Sequence, residues 1–274
     1  MTHGCEEKTP KISFRFNRGQ LCLPYAVFLA LFVIFPLLVI VYYAFTAKDG
    51  TISFANFVWF FTDMSMIQVL LQSIAIGAIT TVVCLLLGYP VAYVLSRIKS
   101  HRRGILLLLF VMPMCINFVL RAMAMKELLD MIGLLGKYNF LNTVIGMVYD
   151  FLPFMILPLY SVLIKMDKSL EEAAADLGAG RAKIFGSVIM PLSLSGILSG
   201  ITMVFLPSMT CYVISDTYGN GKLRIVGKAI DKCFGQNDIN SASVIALVLL
   251  VIMLLVTLFT GGFSKNDNTR GVEL

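Results

Sequence analysis

Six long runs of apolar residues, at about 21–45, 67–96, 104–125, 143–165, 192–214 and 242–263, alternate with short polar stretches. Each holds roughly the 20 residues that an α-helix needs to cross a bilayer. Backbone amides cannot stay unpaired in hydrocarbon, so each run is expected to be helical. A membrane β-barrel would instead show alternating segments of about ten residues, and the chain has no such alternation. The pattern predicts an all-α integral membrane protein with six transmembrane helices. It divides the chain into a leading segment 1–20, one membrane domain 21–263 and a tail 264–274.

Composition agrees with this class. Of 274 residues, 58% are hydrophobic and 14% charged, against roughly 25% charged in an average soluble domain. The bases also orient the chain. With the N-terminus inside, the inner segments carry fourteen of the 22 Lys and Arg residues and the outer segments eight. That bias follows the positive-inside rule, and both termini are expected in the cytoplasm. The net charge of +6 is therefore an orientation signal. It lacks the clustering and soluble fold of a nucleic-acid binder, so the expected surroundings are lipid and no nucleic acid. The first run exceeds the 7–15 residues of a cleavable leader's core and no small-x-small site follows it, so no cleavable signal is expected. The stretch KISFRFNRG (11–19) reads as a lead-in along the membrane surface.

Chemistry-bearing residues are sparse. Cysteines stand at 5, 22, 84, 115, 211 and 233, without a CxxC pair and with only Cys233 in an outer loop. Neither a disulfide framework nor a metal site is indicated, and the cysteines read as small buried apolar residues. His3 and His101 are the only histidines. No nucleophile–base set can be assembled and no GxxxxGK[ST] phosphate loop is present, so no catalytic residue is expected. Ionisable side chains inside a membrane are costly and mark function. Asp150, in the outer half of the fourth run, is the clear case, serving either a substrate route or a salt bridge; Arg121 and Asp216 stand at outer run ends. A proton- or sodium-coupled transporter would thread several acids or broken helices through the midplane, so the driving energy is expected from outside this chain. Gly88, Pro90, Pro113, Pro153, Pro158 and Pro207 are expected to interrupt the runs, since proline removes a backbone hydrogen bond.

One polar segment, 165–191, separates the fourth and fifth runs. Ser169, Leu170, Glu171 and Glu172 have the S-x-x-E spacing of a capping box. The acids also meet the positive end of a helix dipole, and Gly178 suits a left-handed helix end. A short helix over 170–177 is predicted, with Leu170, Ala173, Ala174 and Leu177 on one face. From the residues alone it is either a connector resting on its own protein or a docking element.

The spacing of Glu172-Ala173-Ala174, Gly178, Val188 and Met190-Pro191 resembles the EAA loop of ABC importer permeases. Val188 and Met190 depart conservatively from that family's Ile-x-Leu-Pro ending. Residues 87–97, 152–179 and 203–216 are similar to the permeases of polyamine (spermidine/putrescine) importers. The resemblance implies a MetI-like permease fold, a second homologous permease subunit and an extracytoplasmic polyamine-binding protein. It also implies two ATPase subunits that hold ATP and Mg, with no cofactor on this chain. Glu172, Ala173, Ala174, Gly178, Arg181 and Pro191 would then couple the chain to an ATPase. A polyamine route needs carboxylates for charge and aromatic faces for the cations. Asp216, Asp150, Tyr212, Tyr149, Asn117 and Met209 are the expected lining, near a fifth span kinked at Pro207. The outer loops 126–142 and 215–241 could each receive the binding protein. The same machine with another cargo, or a self-sufficient secondary transporter, remain the alternatives.

Overall fold

The apolar runs become helices, but not all of them are straight. The computed structural model describes residues 18–270 except 48, 49, 99 and 220. In chain order α1 (Arg18–Leu29) passes through a π turn (Ala30–Ile34) into α2 (Phe35–Ala44), followed by short α3 (Ala55–Thr62) and long α4 (Met64–Arg97). Then come α5 (Ser100–Val111), a 3-10 turn (Met112–Cys115), α6 (Phe118–Met131) and α7 (Asn139–Leu163). The polar segment holds α8 (Ser169–Asp176), α9 (Arg181–Ile184), a π turn (Phe185–Ile189) and α10 (Met190–Leu192). The chain ends with α11 (Leu194–Thr210), α12 (Tyr212–Tyr218), α13 (Val226–Gly235) and α14 (Ile239–Arg270). The lead-in at 11–17, His3, Cys5 and the last four residues of the tail lie outside the described residues.

Among the described residues, four stretches are long and apolar enough to cross a membrane alone: Pro24–Ala44, Met64–Arg97, Asn139–Leu163 and Ile239–Gly261. Two further crossings are bent pairs, Arg102–Cys115 with Phe118–Met131 at 96° and Arg181–Leu192 with Leu194–Thr210 at 67°. Six crossings result if each bent pair counts as one. The third and fifth runs therefore depart from the expected single helices. In the third, Pro113 lies in the 3-10 turn and Asn117 starts a new helix, its Oδ1 accepting from the amides of Val119 (2.9 Å) and Leu120 (3.4 Å). An N-cap of this kind satisfies amides that a break leaves without partners. In the fifth, Cys211 separates α11 from α12. Pro90, Pro153, Pro158 and Pro207, expected as interruptions, lie within helices that continue through them. Packed neighbours make such prolines tolerable in membrane helices.

The core is the bundle of α4, α7 and α11, built on Ile76, Cys84, Met147, Met155, Leu159 and Val204. In lipid, association rests on close packing rather than on escape from water, and small residues permit it. Gly200 shows the effect: a Cβ there would lie 2.5 Å from Met155 Sδ. Gly146 does the same for α12, because a Cβ on it would collide with the ring of fully buried Tyr218. A second cluster, including Ala44, Phe60, Val69, Val226 and Ile245, ties α2, α3 and α13 to α14. Cys84 and Cys233 are buried as expected, whereas Cys115 is exposed at the break in the third run.

Candidate functional site

The polar segment folds into an arm whose first part is α8. Lys168 is already helical in conformation, and its carbonyl accepts from the amides of Glu171 (3.0 Å) and Glu172 (3.1 Å). Ser169 is thus the first residue of the helix rather than its cap, and the expected Ser169–Glu172 capping box does not form. Asp167 takes over the role: its Oδ1 accepts from the Ser169 amide at 3.0 Å. That amide hydrogen bond holds the Asp167 carboxyl below the usual carboxylate range.

The other end follows the sequence. Gly178 adopts φ +79°. Its N–H reaches the Ala175 carbonyl (2.9 Å), and the Ala179 N–H reaches that of Ala174 (3.1 Å), the paired bonds of a Schellman end. Nothing lies within 4 Å of a Cβ built on Gly178, so backbone conformation and not space demands glycine.

α8 buries none of its residues. Leu170 is 46% and Leu177 89% exposed, so the apolar face looks away from the chain. The flank beside that face, at Glu171, is fastened. The Glu171 carboxylate pairs with Arg97 at the end of α4, and the Tyr93 hydroxyl donates to Glu171 Oε2 at 3.5 Å. Glu172 and Arg181 border a cleft of ≈630 Å³ with Tyr93, Ala175, Phe185 and Ile189. Of the six residues expected to couple, Glu172, Ala173, Gly178, Arg181 and Pro191 are exposed and Ala174 is half-buried.

The residues expected along a cation route are distributed differently. Asp150 is fully buried in α7 and its Oδ1 accepts from Arg121 Nε, so the salt bridge left open by the sequence is present. Arg121 is 8% exposed rather than at a free run end, because the break folds α6 against α7. Its Nη1 also donates to the Pro113 carbonyl at 2.9 Å, and its guanidinium carbon lies 5.8 Å from the Tyr149 ring centroid. Tyr149 and Asp150 therefore share one arginine. Asp216 belongs to a separate pair with Lys228 of α13, each side chain about a third exposed. Asn117 spends its carbonyl oxygen on the α6 cap, and Tyr212 packs half-buried against the core. Met209 is buried against Gly77, where a Cβ would lie 2.8 Å from its Cγ. Pro207 instead lines a groove of ≈540 Å³ between α11 and α14, with Ser199, Thr202, Leu206 and Thr257.

Among the described residues no group of three or more His, Cys, Asp or Glu could hold a metal ion. The partners Arg97, Tyr93, Glu171 and Lys228 were not legible as site residues. The available signal was the spacing of Tyr89, Tyr93 and Arg97, which four-residue steps place on one helix face.

Residues 85–266 match the model of the family described as binding-protein-dependent transport system inner membrane component. The spermidine/putrescine transport system permease protein PotB of Haemophilus influenzae is 36% identical, covering 90% of this chain and 93% of its own. The protein of the same name from Escherichia coli is 33% identical over 90% and 97%. Among solved structures, a bacterial ABC transporter involved in the import of the acidic polysaccharide alginate superposes with a TM-score of 0.71 at 15% identity, covering 90% of this chain and 94% of that one. That likeness concerns the fold. The match over residues 85–266 and the relatives along nine-tenths of the chain identify a multi-pass membrane protein of the binding-protein-dependent transport system inner membrane component family, to which this chain belongs.

Proposed function

We propose that this chain is one permease subunit of an ATP-driven polyamine importer in a bacterial inner membrane, and that α8 is where an ATPase drives it. The observation that carries the reading is α8 itself. It is a capped helix fastened to its own protein by Glu171, with Leu170 and Leu177 left bare. A helix this short is unstable alone, and its exposed leucines and alanines suit a groove on another subunit. Relatives named as spermidine/putrescine permeases at 33–36% identity support the cargo class.

In this reading the basic bias sets the orientation, with both termini and α8 in the cytoplasm. α12 and α13 then face outward, where a polyamine-binding protein delivers cargo. A second, homologous permease completes the pathway, and two ATPase subunits hold ATP and Mg. This chain binds neither. Ammonium groups moving inward meet Asp216 and then the Tyr149–Asp150 level, with Tyr212 and Asn117 nearby and Met209 beneath. Both carboxylates carry a basic partner, Lys228 and Arg121. A lone buried acid would trap a polycation; a balanced one attracts it weakly enough to release it.

The test is uptake of labelled spermidine and putrescine by cells that express the complete complex with or without this chain. Uptake that requires the chain, and that unlabelled polyamines outcompete, supports the proposal. Indifference to polyamines with dependence on another solute would keep the machine and replace the cargo.

A further inference from the structure

α4 presents Tyr89, Tyr93 and Arg97 at four-residue intervals, along one helix face about 12 Å long at 1.5 Å per residue. Together these side chains meet three parts of the arm between α7 and α11, at Glu171, Phe185 and Ser193. Arg97 pairs with Glu171 of α8 and stacks its guanidinium over the Tyr93 ring, 5.3 Å from the centroid. The rings of Tyr93 and Tyr89 both meet Phe185 edge-on, at centroid distances of 6.1 and 5.2 Å. The Tyr89 hydroxyl lies 2.7 Å from Ser193 Oγ. Ser193 donates its own proton to the Met190 carbonyl at 3.0 Å, so Tyr89 is the donor of that bond. Ser193 is fully buried at the 67° bend where the arm turns into α11.

The positions of these contacts matter because the arm is jointed. Between α8 and α11 the chain passes the left-handed turn at Gly178, the π turn Phe185–Ile189 and the bend at Ser193. Motion passed only along the backbone could be absorbed by rotation at any of these three places. The α4 contacts fall ahead of the first joint, at the second and at the third. α4 in turn packs along both α7 and α11 in the core.

We propose that Tyr89, Tyr93 and Arg97 form a lateral ladder that makes this end of α4 move as one body with residues 169–193, so that motion applied to α8 reaches the α4–α7–α11 bundle sideways as well as along the chain. These three are positioning residues; none touches ATP or cargo. The inference rests on the reading of α8 as the ATPase-facing helix.

Two measurements on the assembled complex test it. In the first, Tyr93→Cys and Phe185→Cys are joined by a short bis-thiol linker. Before linking, the double variant lacks that rung and should take up less per ATP hydrolysed. Because the two positions move together, the link should restore uptake; a linked complex no better than the unlinked one, with the ATPase still co-purifying, would overturn the ladder. In the second, Arg97→Glu should lower uptake per ATP about fivefold or more, the lower range of energetic coupling between sites. Adding Glu171→Arg should restore it, which a merely destabilised helix end would not do. A charge-swapped pair no better than Arg97→Glu alone would overturn the ladder. Failure of the unmodified chain to hold an ATPase is a different result, which would remove the reading of α8 and the ladder with it.

Discussion

Arg121 of α6 and Asp150 of α7 meet as a buried ion pair across 29 residues of sequence, and the same arginine holds the Pro113 carbonyl. One side chain thus fastens the 96° break of the third apolar run to the central helix α7. Charges buried this far from water are retained only when paired and hydrogen-bonded.

Removing one member should be worse than removing both. Arg121→Leu leaves Asp150 uncompensated, at a cost of about 3–5 kcal/mol, while apolar replacement of both partners is often close to neutral. Thermal unfolding of the purified complex should therefore show Arg121→Leu strongly destabilised and Arg121→Leu with Asp150→Leu largely recovered. Uptake by the recovered variant then separates roles: a stable complex that does not transport places the pair in the route, and one that transports normally leaves it structural.

Asp216 is a gentler case. Its pair with Lys228 is about a third exposed on both sides, a class of ion pair typically worth about 0–1 kcal/mol. Asp216→Asn should leave assembly intact yet reduce polyamine uptake. Wild-type uptake together with wild-type polyamine-stimulated ATP hydrolysis would exclude Asp216 from the route.

Gly178 should not accept valine. Left-handed backbone costs a non-glycine residue roughly 1–2 kcal/mol, and the Schellman bonds at Ala174 and Ala175 depend on it. Gly178→Val should insert into the membrane but hold the ATPase poorly, whereas Gly178→Asn, whose side chain tolerates this conformation, should be milder. Co-purification measures the difference, and full retention of the ATPase by Gly178→Val would count against α8 as the contact.

Orientation is open to direct labelling. A membrane-impermeant thiol reagent should modify Lys222→Cys from outside intact cells. It should reach Lys183→Cys only after the membrane is opened. The reverse pattern would invert every inside and outside assignment made from the basic residues.

Much of the fold was legible because membrane crossing imposes a length and a composition on each helix. The arm was legible for a similar reason: Gly178 is a local backbone demand, and it appears where the sequence puts it. The capping box misled because Asp167, two residues upstream of Ser169, accepts the amide bond and starts the helix earlier. Prolines were an uneven guide: Pro113 lies in the 3-10 turn at the break of the third run, as expected, but others do not interrupt their helices. Pro153 and Pro158 sit inside a continuous α7, while the sharp breaks fall at the capped Asn117 and at Ser193. The polar pairings could not be read at all. The four-residue spacing of Tyr89, Tyr93 and Arg97 marks a helix face but not its partners, because Arg97 with Glu171 and Lys228 with Asp216 are tertiary meetings between different elements.

The most direct measurement is uptake of labelled spermidine into vesicles that contain the purified complex of this chain, its second permease and its ATPase. Binding protein is supplied outside, and ATP is varied on the side of α8. The prediction is accumulation that needs both ATP and binding protein, with Gly178→Val reducing it and vesicles holding this chain alone showing none. Spermidine accumulation by this chain alone, without an ATPase and indifferent to ATP, would contradict the assignment.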